Sequence, residues 1–174
     1  MTFTDRASEL GLDYVYDGAS TDGSGVSFMD VDGDGRDDIS FGTENGLLPI
    51  FLGLEGDTLL DKEFLGFELE NGGSRALNWI DYDNDGDSDL YIANDFGPNQ
   101  LLRNDGGKFI DTSVESLSQD WGFGMSASWG DLDRDGNMDL YVSSMFSGAG
   151  NLVIPQDDFN PSMPKQTRQR YLKM

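Results

Sequence analysis

Neither cysteine nor histidine occurs in the chain. That absence removes disulfides, thiol nucleophiles, Cys/His zinc sites and imidazole acid–base chemistry together. It leaves the compartment open, because export does not require disulfides. Basic residues are scarce: 11 stand against 33 acidic ones, a formal net charge of -22. No nucleic acid is expected as a partner, since counterion release needs a basic face, and an anionic membrane surface is disfavoured for the same reason. No apolar run approaches the roughly 20 residues of a membrane helix, so no membrane insertion is expected. The start, Met1-Thr2-Phe3-Thr4-Asp5, lacks the basic and apolar stretches of a signal peptide. The expectation is a leader already removed, or a piece of something longer. No Gly-rich loop ends in Lys-Ser or Lys-Thr, which removes support for phosphoryl transfer.

What the chain does have is one acidic loop three times over. The loops run Asp30-Val31-Asp32-Gly33-Asp34-Gly35-Arg36-Asp37-Asp38, then Asp81-Tyr82-Asp83-Asn84-Asp85-Gly86-Asp87-Ser88-Asp89, then Asp131-Leu132-Asp133-Arg134-Asp135-Gly136-Asn137-Met138-Asp139. The shared pattern is D-x-D-x-D-G-x-x-D, with first aspartates 51 and 50 residues apart. Carboxylates so crowded repel one another unless a cation sits among them.

The repeat extends beyond the loops. Two residues ahead of each stands an aromatic (Phe28, Trp79, Trp129), and four ahead an apolar residue (Val26, Leu77, Ala127). That is period-2 alternation, so each loop is entered from a strand. The exits Ile39 to Phe41, Leu90 to Ile92 and Leu140 to Val142 alternate likewise. Ile39 with Phe41, Leu90 with Ile92, and Leu140 with Val142 are expected to share a buried face. Leu48 to Leu52 reads as a further short strand, with Pro49 suited to an edge. Gln100 to Arg103 and Lys108 to Asp111 read as two strands joined by a tight Asn-Asp-Gly-Gly turn.

The fold expected is all-β: a partial propeller of about three blades, each of about four antiparallel strands. The chain is read as a single repeat region over 1–174, with repeats near 24–71, 72–118 and 122–174, the last incomplete. Phe3-x-Asp5-x-x-x-Glu9 matches Phe109-x-Asp111-x-x-x-Glu115, so 2–12 is expected to be the last strand of a preceding or closing blade. The basic end, 165–174, is read as a solvated segment or short helix, with a docking site for an acidic partner as the alternative.

Calcium takes six to eight oxygens and suits such loops. Side chains at positions 1, 3 and 5 converge as the backbone curls, and glycine at position 6 permits the turn. The expected ligands of the first loop are Asp30, Asp32, Asp34, the Arg36 carbonyl and Asp38. Those of the second are Asp81, Asp83, Asp85, the Asp87 carbonyl and Asp89. Those of the third are Asp131, Asp133, Asp135, the Asn137 carbonyl and Asp139. An EF-hand is excluded, since position 12 is apolar in all three (Phe41, Ile92, Val142). At about 1 mM calcium and a Kd of about 0.1 mM, each site adds about 1.4 kcal/mol to stability. Cytosolic calcium would leave such sites nearly empty, so an extracellular, cell-surface or periplasmic setting is expected.

The strand–loop–strand unit resembles the FG-GAP/VCBS repeat, the blade of integrin-α-type β-propellers. The variety it most resembles is that of ASPIC/UnbV-type and cartilage acidic protein-like proteins. Trp79 to Asn94, Asn99 to Asn104 with Phe109 to Asp111, and Trp129 to Val142 carry the likeness, which covers about residues 3–150. The resemblance implies a calcium ion in each loop, no catalysis by the blades, and service in adhesion, ligand recognition or scaffolding. The expected partners are calcium and an extracellular protein or glycan, with self-association through open blade edges. The alternative is a hydrolase or lyase acting on glycans, which needs two carboxylates in distinct environments. Glu44, Glu55, Asp95 and Asp120 are spare acids, but none forms a motif and each reads as a surface or turn residue. Trp79, Trp129, Trp121 and Tyr91 could stack on a sugar; Trp79 and Trp129, in phase with Phe28, read as core, and Trp121, out of phase, reads as the exposed aromatic.

Overall fold

The computed structural model describes residues 2–12, 14–15, 24–43, 46–55, 58–62, 68–69, 73–116, 119, 121–144 and 169–172. The architecture is all-β, with antiparallel sheets as in propeller blades. The first sheet orders β1 (Val26–Met29), β2 (Asp38–Phe41), β4 (Ile50–Leu54) and β5 (Thr58–Lys62) side by side. A small two-stranded sheet pairs β3 (Gly46–Leu47) with β6 (Glu68–Leu69). The middle blade lays β7 (Gly73–Ile80), β8 (Asp89–Pro98), β9 (Gln100–Asn104) and β10 (Phe109–Asp111) in order. The third unit pairs β11 (Trp121–Gly130) with β12 (Asp139–Ser144), and β12 with β13 (Gln169–Leu172). Among the described residues no helix is long and apolar enough to cross a membrane.

Register repeats from blade to blade. Phe28 faces Ile39, Trp79 faces Leu90 and Trp129 faces Leu140. On the other side of the exit strand, Ile39 faces Phe51, Leu90 faces Leu102 and Leu140 faces Leu172. The basic Gln169–Leu172 stretch is therefore a strand, not a solvated segment or short helix. Its register on β12 is that of β4 on β2 and β9 on β8. The rest of 165–174 lies outside the described residues.

Two other expectations are corrected. Residues 2–12 form no strand; Ser8–Leu10 is a short 3-10 turn and Phe3 is exposed. The repeat is real at the turn that follows. Asp5 Oδ1 accepts the Ala7 N–H as Asp111 Oδ1 accepts the Ser113 N–H, at 3.0 and 2.9 Å. Strand character in β10 comes from pairing with β9, and no such neighbour lies beside Phe3 among the described residues. Pro49 is not at an edge either. It directly precedes β4, an inner strand, where its missing N–H costs no ladder bond while its carbonyl accepts the Phe41 N–H.

The core lies between blades. Leu48 and Ile50 of the first unit pack with Leu77, Trp79, Leu90, Ile92 and Leu102 of the second. The opposite face of the middle blade, with Tyr91, Ala93 and Leu101, packs on Leu140, Val142 and Trp129. The middle exit strand is thus buried on both faces, where alternation alone suggested one. Each fully buried large side chain here contributes about 1.5–3 kcal/mol. At the end away from the acidic loops, blades meet backbone to backbone. Gly25 N–H donates to Ser74 O and Ser74 N–H to Thr43 O. A Cβ on Gly42 would stand 2.4 Å from Ser74 O, so only glycine fits there.

Candidate functional site: three aspartate loops

Each acidic loop joins the first two strands of its unit: β1 to β2, β7 to β8, β11 to β12. Crowded carboxylates are held there by the backbone. Position 1 curls the turn: Asp30 accepts the N–H groups of Gly33, Asp34 and Gly35. Asp81 accepts those of Asp85 and Gly86, and Asp131 those of Asp135 and Gly136. Position 5 accepts the N–H of position 7 at 2.9 Å in all three loops.

Position 9 has a different task. One oxygen of Asp38, Asp89 and Asp139 accepts the N–H of position 2, from Val31, Tyr82 and Leu132, at 2.9–3.0 Å. The other oxygen of Asp38 accepts the Gly53 N–H, and that of Asp89 the Asn104 N–H, both at 2.8 Å. These aspartates tie the loop's two ends to the third strand and are themselves buried. Burial pushes the Asp38 carboxyl up, and pushes Asp89 up to about 6. Asp83 is also raised, by burial first and by Asp85 beside it second. Asp139 repeats the arrangement with one gap: among the described residues its buried Oδ1 has no hydrogen-bond partner.

Carboxylate oxygens converge in each loop. One oxygen each from Asp30, Asp32 and Asp38 lie within 4.8 Å of one another, as do those from Asp81, Asp83 and Asp85, and from Asp131, Asp133 and Asp139. An all-oxygen set with a stranded buried carboxylate oxygen fits a hard cation. Outside these triplets stand Asp34, Asp89 and Asp135. Asp34 is ion-paired to the Arg36 guanidinium, which also donates to Gly53 O at 2.7 Å. Between the first two loops lies a cleft of about 270 Å³, bordered by Asp30, Asp32, Asp87 and Asn104.

Several roles escaped the sequence reading. Position 4 is left-handed in every loop: Gly33 (φ 75°), Asn84 (φ 62°) and Arg134 (φ 62°). Glycine and asparagine there were the available signal. The Asp87 carboxylate accepts the Gly106 N–H, and Asn104 bonds Ser88 O and the Gly107 N–H, so the β9–β10 turn is locked to the second loop. Asp95 is no surface residue. It is buried in an ion pair with Arg75 at 2.7 Å. Trp79 is core, as expected, and Trp129 is half-buried; Tyr91, a candidate for sugar stacking, is fully buried instead. Glu44, Asp120 and the Trp121 side chain lie outside the described residues.

Antiparallel blade-like sheets with an acidic loop between their first two strands define the class, a β-propeller repeat module. Residues 81–142 match the family model of the FG-GAP-like repeat. The matched stretch runs from the second loop through the third and supports the FG-GAP repeat family. No curated protein matches the chain.

Proposed function

We propose that the chain is a non-enzymatic, calcium-stabilised propeller module that serves adhesion, ligand recognition or scaffolding outside the cytoplasm. The observation that carries this reading is threefold: three carboxylate triplets stand at the same place in successive sheets. A single acidic turn has many explanations; three in phase, each closed by a buried aspartate at position 9, have one economical one. The ion would be held by the carboxylates of each loop and would supply charge neutralisation, not catalysis. The motif from Asn99 to Asn104 with Phe109 to Asp111 favours the ASPIC/UnbV or cartilage acidic protein-like variety. The ligand is an extracellular protein or glycan.

Heat denaturation across a calcium titration tests the reading. Melting temperature rises steeply through the millimolar range and magnesium reproduces little of the rise, since it keeps its own waters. Equal melting temperatures in chelator and in millimolar calcium would overturn it.

A further inference from the structure

The cleft of about 270 Å³ between the first and second acidic loops has described residues on both of its walls. Asp30 and Asp32 stand on one side, and Asp87 with Ser88 on the other. Val31, Leu52 and Phe109 also line it. These three pack on the cluster buried between the two blades and are themselves only half-buried, so apolar surface is left uncovered at the bottom of the cleft. None of the lining residues is basic. Arg36, the basic residue of the first loop, is turned to Asp34 and to Gly53 O instead. Calcium would not discharge this place. The first loop holds five aspartates against one arginine, and the second holds five aspartates and no basic residue. One divalent ion in each therefore leaves both loops negative. The Asp87 carboxylate also stands outside the triplet of its own loop. One of its oxygens accepts the Gly106 N–H at 2.8 Å, which fixes the group beside the cleft, and the other has no hydrogen-bond donor among the described residues.

We propose that this cleft receives a lysine or arginine side chain of a partner protein. The inference rests on the recognition-module reading above and names the chemistry of the ligand. An acidic rim over an apolar floor matches a cation carried on an aliphatic stem. The stem lies along Val31, Leu52 and Phe109 while the charged head meets Asp32 and Asp87. The aromatic ring of Phe109 suits a cation as well. A further metal ion fits poorly, because one carboxylate beyond the loops' own and an apolar floor do not supply six to eight oxygens. An acidic partner is repelled by the field of the two loops. An uncharged glycan would leave the carboxylates unanswered.

Backbone-amide NMR in saturating calcium tests it. The probes are N-acetyl-arginine amide and N-acetyl-lysine amide, with N-acetyl-norleucine amide as the uncharged control. Both cationic probes should move the amide signals of Ser88, Gly106 and Gly107 saturably, and the control should not. Asp87→Asn keeps an acceptor for the Gly106 N–H, so the turn holds, yet it weakens the probes about two- to fivefold. Ser88→Lys brings a cation into the cleft from the chain itself and abolishes probe binding. No saturable shift overturns the proposal. So do equal shifts from the control, unchanged affinity in Asp87→Asn, or binding that survives Ser88→Lys. Shifts driven by calcium alone, recorded first, judge the calcium reading separately: their absence sinks that reading, and the probes are then added to the metal-free protein. A probe that binds in chelator and is displaced by calcium sits in the loops, and that result sinks this inference alone.

Discussion

Asp89 and Asn104 are joined across the middle blade: the Asn104 N–H donates to Asp89 Oδ1 at 2.8 Å, with both residues buried. The other Asp89 oxygen holds the Tyr82 N–H at the start of the loop. One carboxylate thus fixes where the second loop begins, where it ends and which strand lies beside it. Asp89→Ala strands two backbone N–H groups, each costing about 1–3 kcal/mol when buried. Asp89→Asn keeps at most one acceptor for two donors, so it recovers only part. Urea unfolding in chelator should show a loss of roughly 2–4 kcal/mol for alanine. A loss below about 0.5 kcal/mol, the scale of an ordinary surface change, would refute the clamp.

On the proposed calcium reading, the same carboxylate sets a pH dependence with opposite signs in the metal-free and calcium-loaded protein. Burial raises Asp89 from 3.8 to about 6 in the metal-free protein, and Asp38 is raised too. A folded-state value above the unfolded one means that the folded state binds the proton more tightly. The calcium-free protein therefore gains stability as pH falls through 6, by about 1 kcal/mol between pH 7 and pH 5 from Asp89 alone. Calcium competes with that proton, so in saturating calcium the trend reverses and affinity weakens over the same window. Melting curves at pH 5, 6 and 7 with chelator and with calcium check both signs. Parallel trends in the two series would show that the carboxyl does not link them.

A buried ion pair at the far end of the middle blade gives a stability prediction independent of metal. Arg75 and Asp95 lie 2.7 Å apart with side chains 9% and 5% exposed. Asp95→Ala removes the carboxylate beside a buried guanidinium and should cost about 3–5 kcal/mol. The double exchange Arg75→Met with Asp95→Leu should cost clearly less, because it buries no lone charge. Chemical denaturation of the three proteins decides this, and a double variant worse than the single one would contradict it.

Different physical causes separate what the sequence displayed from what it hid. The loops were legible because the aspartate spacing and the glycine at position 6 are local requirements, written thrice. Strand entries and exits were legible because period-2 alternation survives around Trp79 and Leu90 whatever lies beyond them. Tyr91 and Ser40 were not legible as doubly buried, because the sheet that covers their side of the strand belongs to another repeat. Gln169–Leu172 looked solvated because an outer strand needs little apolar patterning once β12 supplies its hydrogen bonds. The Asp95 pairing was hidden because its partner lies 20 residues away in sequence.

Backbone conformation at position 4 yields a stabilising exchange. Arg134 holds φ 62°, where Gly33 and Asn84 stand in the other loops. Left-handed backbone costs most L-residues about 1–2 kcal/mol, and asparagine less. Arg134→Asn should raise stability by about 0.5 kcal/mol, and Gly136→Ala, at φ 93° with open space around it, should lower it by about 1 kcal/mol. Thermal melts of the two variants test the pair. Opposite signs would mean that the loop relaxes into another conformation.

Arg36 places a built-in cation in the first loop and sets it apart from the other two. Its guanidinium is ion-paired to Asp34, the position-5 carboxylate, and is held in place by Gly53 O. The corresponding residues are Asp87, whose carboxylate is turned to the Gly106 N–H, and Asn137. For calcium to use Asp34, that pairing must be surrendered, so the first loop should fill last. Half-exposed ion pairs are worth about 0.2–1 kcal/mol, which sets the size of the handicap at severalfold in affinity or less. Arg36→Gln removes the competitor. Its weakest calcium step should tighten about two- to fivefold by calorimetry, while the metal-free protein loses a few tenths of a kcal/mol as Asp30, Asp32 and Asp34 repel one another unrelieved. Weaker binding throughout would mean that Arg36 instead shapes the loop for the ion, and that its contact with Gly53 matters more than its charge.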